Sequence, residues 1–252
     1  MQDYPRTLGE FEAAFPSDEA CRDYLARLRW PEGFRCPRCG NMKAYGIGAT
    51  LYQCSACRYQ VSVIAGTIFQ DTHKPLTMWF RAFWWVGGQK NGASALGLKR
   101  ILGLGSYQTA WAWLHKMRRA MVRPGRDRLS SLVEVDESYV GGEKSGKRGR
   151  GAEGKALVAV AVEDKGDQGI GRIRMMVVPD ASGKSLIGFV SASVVEGSGV
   201  RTDGWSGYSG LSAAGYDHIV ECRNASVGDR PSKLVHLAVS LLKRWLLGTH
   251  QG

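Results

Sequence analysis

A chain of 252 residues with a formal net charge of +11, 44% hydrophobic and 23% charged residues has room for one large domain or two to three small ones with ample core. Its eight Trp argue against disorder. No run of 18 apolar residues occurs and the N-terminus lacks the basic and apolar regions of a secretory signal, so a cytoplasmic protein with no membrane partner is expected.

Residues 8–30 have helical spacing. Ser17 suits the N-cap of a helix over 18–28 with an acidic first turn, and Cys21, Tyr24, Leu25 and Leu28 share one face. Cys21 fits there as a small buried residue, and Trp30-Pro31 ends the helix. Cys36-Pro-Arg-Cys39 and Cys54-Ser-Ala-Cys57 follow, with fourteen residues between the pairs. Two CxxC pairs at that distance read as knuckles closing a tetrahedral thiolate site around Zn(II). A reducing cytoplasm disfavours disulfides between them. Four thiolates leave no open position, so the zinc would be structural. Cys222 stands alone and suits a core position. Residues 61–68 close the ribbon.

Residues 75–87 form an aromatic-rich helix, with Pro75 at its start and rings expected mostly in the core. A short helix over 94–102, a glycine turn at 103–105 and a second helix over 107–121 with Ser106 as N-cap give a helix-turn-helix outline. Its second helix carries Lys116, Arg118 and Arg119. Residues 71–128 hold eleven Lys or Arg against two Asp, a local charge of +9. Such a segment implies a polyanionic partner, most simply nucleic acid. Residues 123–128 read as a linker.

From 129 the texture changes to strands. Val133 and Val135 alternate with Glu134 and Asp136, as in a half-buried strand that delivers a carboxylate and stops at Gly141-Gly142. The loop behind it, with Lys147, Arg148 and Arg150, is basic and would steady DNA. Glu134 and Glu137 flank Asp136 as internal controls, Glu137 on the opposite face of the strand. Further strands over 156–163 and 172–178, a helix over 182–193, and strands over 200–203 and 216–221 precede a helix over 231–247. With a helix in the connection between the strands over 200–203 and 216–221, the order is three strands, helix, strand, helix, strand, helix, that of an RNase H-like domain. In it the first and fourth strands lie side by side, which would put Asp136 beside Asp203. The expected fold is thus α/β: an RNase H-like mixed sheet with helices over 129–252, preceded by an N-terminal helix and zinc ribbon over 1–68 and a helix-turn-helix-like region over 69–128.

Several stretches together carry a resemblance: Phe34-Arg-Cys-Pro-Arg-Cys-Gly40, Ser106-Tyr-Gln-Thr-Ala-Trp111, Val135-Asp-Glu-Ser-Tyr-Val-Gly-Gly142, Thr202-Asp-Gly-Trp-Ser-Gly-Tyr208 and Leu242-Lys-Arg-Trp-Leu-Leu-Gly-Thr-His250. In this order they resemble the insertion-sequence transposases that pair a zinc ribbon with a DDE-type catalytic domain, and especially the group named for the ISXO element. The resemblance implies that Asp136 and Asp203 are the first two catalytic acids. A third residue and a lysine seven positions later are implied on the last helix, where His236 and Lys243 have that spacing, about two turns along one face. His replaces the usual Glu and is a poorer partner for Mg(II), which prefers oxygen. On this helix Leu234, Leu237, Leu241 and Trp245 are expected toward the sheet. The chain stops at Gly252, where such proteins usually continue, so a C-terminal truncation is also expected.

The implied chemistry uses Mg(II) or Mn(II) on Asp136 and Asp203 to cleave element ends and join them to target DNA. The implied partners are double-stranded DNA, as the element's terminal inverted repeats and as target DNA in the nucleoid, and further copies of the chain. Two other classes fit the residues: an RNase H-like nuclease without strand transfer, and a catalytically inactive remnant that only binds DNA.

Overall fold

The computed structural model describes residues 4–122, 125–141, 154–221 and 233–250. The chain divides into two compact units, one formed by residues up to 123 except 90–92, the other by 90–92 and residues from 124 onward.

In the first unit, α1 (Leu8–Ala14) starts at Thr7, whose hydroxyl accepts the Glu10 amide. α2 (Asp18–Arg29) starts at Ser17, which accepts the Ala20 amide. The helical region expected over 8–30 therefore holds two helices, the second starting at Ser17 as expected. Pro16 has no N–H and disfavours a helical residue before it, so the chain breaks there. Leu28 is 56% exposed, off the expected face, because the apolar cluster ends at Tyr24 and Leu25.

Strands β1 (Ala44–Ile47), β2 (Leu51–Cys54) and β3 (Gln60–Ser62) make a small antiparallel sheet. Three helices follow: α3 (Leu76–Gly88), α4 (Ala95–Leu102) and α5 (Tyr107–Met121). Phe11, Phe15, Phe69, Trp79, Leu98, Trp113 and Met117 share one core with α1 and α2 around it. The Trp79 and Trp113 rings stack with centroids 3.6 Å apart. Ser94 caps α4 through the Gly97 amide, and Gly103 ends it at φ 63°, a left-handed conformation that glycine adopts without strain. Ser106 holds the N-cap place of α5 without the expected bond, since its hydroxyl donates to Gln108 Oε1 instead.

The second unit is built on a five-stranded sheet: β4 (Leu132–Val140), β5 (Ala156–Asp164), β6 (Ile170–Val178), β7 (Gly199–Thr202) and β8 (Asp217–Val220), in the order β6-β5-β4-β7-β8. β4, β5 and β6 run antiparallel, while β7 lies parallel to both β4 and β8. The expected adjacency of the first and fourth strands of this domain is present. Residues 157–162 of β5 are all buried because the sheet is covered on both faces. Leu157, Ala159 and Ala161 meet α6 (Gly183–Ser193), and Val158, Val160 and Val162 meet α7 (Lys233–His250).

Two sequence expectations change here. The connection from β7 to β8 contains a single 3-10 turn, Ser206–Tyr208, in place of a full helix. The core face of α7 is Val235, Ala238 and Val239 with Leu234, whereas Leu237 and Leu241 are 49% and 37% exposed. Small residues at that spacing let the helix settle closely on the valines of β5. Among the described residues, no helix is long and apolar enough to cross a membrane.

Candidate active site

Strand alternation gives β4 two chemically different faces. Val133, Val135 and Glu137 lie on the α6 side, Glu134 and Asp136 on the α7 side. β7 runs parallel to β4 with Glu134 opposite Arg201, and Asp203 follows the last residue of β7. The turn after it is tightly specified. Gly204 has φ 78°, and a Cβ there would come within 2.8 Å of Val220. The Gly204 amide donates to Thr202 Oγ1 (3.3 Å), which also lies 2.8 Å from His218 Nε2. The Trp205 amide donates to Asp203 Oδ1 (3.0 Å), and its indole N–H to the Ala181 carbonyl (3.0 Å).

Asp136 accepts the Glu137 amide at 2.8 Å. Its pKa is raised to about 6, first by burial; the Glu137 amide lowers it, the Glu137 and Asp203 carboxylates raise it, and His236 lowers it. Asp203 from the end of β7 and exposed His236 from α7 thus both act on Asp136. Behind the acids, Tyr208 is fully buried and its hydroxyl donates to Glu137 Oε2 at 2.9 Å. Burial, and then the Glu137 carboxylate, raise the phenol well above its usual range, so it stays a neutral donor. Tyr208 closes the Thr202–Tyr208 stretch, which by itself gives the tyrosine no role. Its place five residues after Asp203 is the only signal that could have marked it.

Lys243, two turns beyond His236, lines a cavity of about 450 Å³ with Tyr139, Lys155 and His250. Glu134, expected to be a control, is not a bystander. It is buried on the Asp136 face, and its carboxylate accepts the first amides of α7. Lys147, Arg148, Arg150 and Cys222 lie outside the described residues.

In the first unit, the sulfurs of Cys36, Cys39, Cys54 and Cys57 lie within 4.8 Å of one another. Cys36 to Cys57 and Cys39 to Cys54 are each 3.6 Å. Four bonds of about 2.3 Å at tetrahedral angles place sulfurs about 3.8 Å apart, so the donor set fits zinc. The Cys57 amide, outweighing burial and helped by the Ala56 amide and the Asn41 side chain, lowers the Cys54 thiol to about 6. On α5, Lys116 and Arg119 are exposed. Arg118 is half-buried, donates to the Ala93 carbonyl at 3.2 Å and has its pKa lowered by burial.

Residues 128–252 match the family model of the ISXO2-like transposase domain, and residues 16–60 that of the transposase zinc-ribbon domain. The chain is also similar to an uncharacterized protein in transposable element ISH50 of Halobacterium salinarum. The two are 28% identical over 262 residues, which cover 94% of this chain and 86% of that protein.

Proposed function

Because the chain belongs to the insertion-sequence transposases that join a zinc ribbon to an ISXO2-like transposase domain, we propose that it binds the terminal inverted repeats of its element and catalyses strand cleavage and strand transfer there. The observation that carries this reading is the crowding of Asp136. A half-buried carboxylate held near pKa 6 by its burial and by two neighbouring acids is a concentration of negative charge that a divalent cation relieves. Asp136 and Asp203 would hold Mg(II) or Mn(II), which when bound activates a water or 3′-hydroxyl for in-line attack and neutralises the leaving oxygen.

The chain's own residues do the rest. The amides of Glu137 and Trp205 each hold one carboxylate oxygen, on Asp136 and Asp203, and so fix the acids in orientation. Tyr208 keeps Glu137 on the far face of β4. His236 offers a nitrogen beside Asp136, to a cation or to the scissile phosphate, which favours Mn(II) over Mg(II). Lys155 and Lys243, around their shared cavity, suit phosphates flanking the cut. Zinc on the four cysteines shapes the ribbon, and Lys116 and Arg119 on α5 suit phosphates of the bound end.

The test is a nicking assay on labelled element ends with Mg(II) or Mn(II). Asp136→Asn and Asp203→Asn should abolish nicking while end-binding stays within about threefold, because each removes a cation ligand and not a DNA contact. Nicking that survives either change would refute the assignment of the acids.

A further inference from the structure

The strand face that carries Asp136 carries a second acid two residues earlier. Glu134 is 3% exposed. Its Oε2 accepts the backbone amides of Leu234 (2.8 Å) and Val235 (3.1 Å), in the first turn of α7. Its Oε1 takes Arg201 Nη1 at 3.3 Å. Arg201, opposite Glu134 on β7, also reaches Asp164 at 3.1 Å and Glu221 at 2.8 Å. First-turn amides have no partner inside their helix and carry its positive end. The usual cap is the side chain just before the helix. Here an acceptor comes from a strand 100 residues away in sequence.

The spacing gives this contact its meaning. Glu134 stands two residues before Asp136, Arg201 two before Asp203, and Leu234 two before His236. Two residues along a strand is one step on the same face, which relates Glu134 to Asp136 on β4; Arg201 leads to Asp203 just past the end of β7, and on α7 the held groups are backbone amides of the same first turn that carries His236. The buried cluster therefore sits one step below the site and ties together the three elements that deliver its side chains. Stability alone explains it poorly, since a buried ion pair seldom outperforms apolar packing of the same volume. The geometry points to Glu134 as a positioning residue: by clamping the first turn of α7, it sets where His236 stands against Asp136 and Asp203. Its consequence for catalysis rests on the transposase reading above.

The test compares Glu134→Gln with Glu134→Leu in the full zinc-loaded chain. Gln keeps an oxygen for the two amides, whereas Leu fills the space and accepts nothing. Residue-resolved amide exchange is followed over 233–239, with 158–162 of β5 as the internal reference, beside nicking at saturating DNA. The Leu variant should speed exchange at Leu234 and Val235 by roughly tenfold or more and leave the reference within about twofold. Its maximal nicking rate should fall by about thirtyfold with half-saturation by DNA nearly unchanged, and Gln should restore both readouts to within about fivefold. Equal damage from Gln and Leu would make the charge, and not the clamp, the function of Glu134. Unchanged exchange over 233–239 in the Leu variant would remove the clamp, and faster exchange in β5 as well would reduce Glu134 to a general core residue. If the Leu variant does not fold, loss of nicking in the Gln variant with slow α7 exchange overturns the assignment. The exchange measurement needs no active enzyme. Wild-type protein that fails to nick would count against the transposase chemistry, and the exchange result would still decide on the clamp.

Discussion

Asp136 is held at a cost to the fold. Its folded-state pKa, about 6, lies above the ordinary 3.8, so the folded protein binds this proton more tightly than the unfolded chain does. Stability contributed by the protonated form is intact below about pH 4, declines between about pH 4 and 6, and is gone above, a loss of about 2–3 kcal/mol for a shift of this size. With no magnesium or manganese added, Asp136→Asn should therefore raise the unfolding free energy by about 1–3 kcal/mol at pH 8 and change it little at pH 4. Thermal denaturation at the two pH values reads this directly. A variant less stable than wild type at pH 8 would mean that the carboxylate is not crowded. The alternation of Val133, Glu134, Val135 and Asp136 made this strand, and the face of its acid, legible in the sequence. The different fates of Glu134 and Asp136 were not legible, because both share one face and only the place of α7 decides which of them caps a helix. Tyr208 was hidden for a similar reason: a buried tyrosine looks apolar until the acid that accepts its hydroxyl is known.

At the scale of elements, α5 separates residues that the sequence groups together. Lys116, Arg118 and Arg119 are one basic run, yet the Arg118 guanidinium reaches the Ala93 carbonyl while its neighbours face outward. A run of like charge reveals the polarity of a helix but not its rotation about its axis, which the packing of Trp113, Leu114 and Met117 fixes. Neutralising Lys116 and Arg119 together should lower the slope of log affinity against log salt by up to about 1.8 for end DNA, without changing the melting temperature. Arg118→Ala should instead cost about 1–2 kcal/mol of stability in the first unit and leave that slope nearly unchanged. Salt titrations of binding beside melting curves distinguish the two. If Arg118→Ala alone flattened the slope, its guanidinium would have to leave Ala93 for DNA. Helix starts were legible where a side chain does the capping, at Ser17 and Ser94. At Ser106 the start was legible as well, but the bond was not, because Gln108 captures the hydroxyl.

Across the whole molecule, the two units draw stability from groups that respond to acid in different ways. The first has four cysteine sulfurs placed to hold a metal, and with zinc bound they would be thiolates that protons displace. The second has Glu163, 1% exposed, where β5, β6 and the entry to β4 meet. It accepts the amides of Ser130 and Arg172 at 3.1 Å each and the Arg172 guanidinium at 2.6 Å. The Arg172 side chain, outweighing burial, brings its pKa down to about 2 from an ordinary 4.5. For an acid whose folded pKa is depressed, the stabilisation is complete above its unfolded value and is lost as pH falls through the folded one. The window here is from about pH 4.5 down to about 2, and its size is about 1–3 kcal/mol once solvent around the half-exposed Arg172 is allowed for. Acid titration of the zinc-loaded chain should therefore show two separate events, since units with separate cores need not unfold together. Zinc release, followed with a chromogenic chelator, should come at the higher pH. Loss of the sheet, followed by the infrared amide I band of β-structure, should come inside the Glu163 window. Glu163→Gln should move the second event upward and leave zinc release where it was, because the second unit then lacks the carboxylate's stabilisation at every pH while the cysteine site is untouched. A single transition in which zinc and the sheet are lost together, unmoved by Glu163→Gln, would mean that the two units unfold as one.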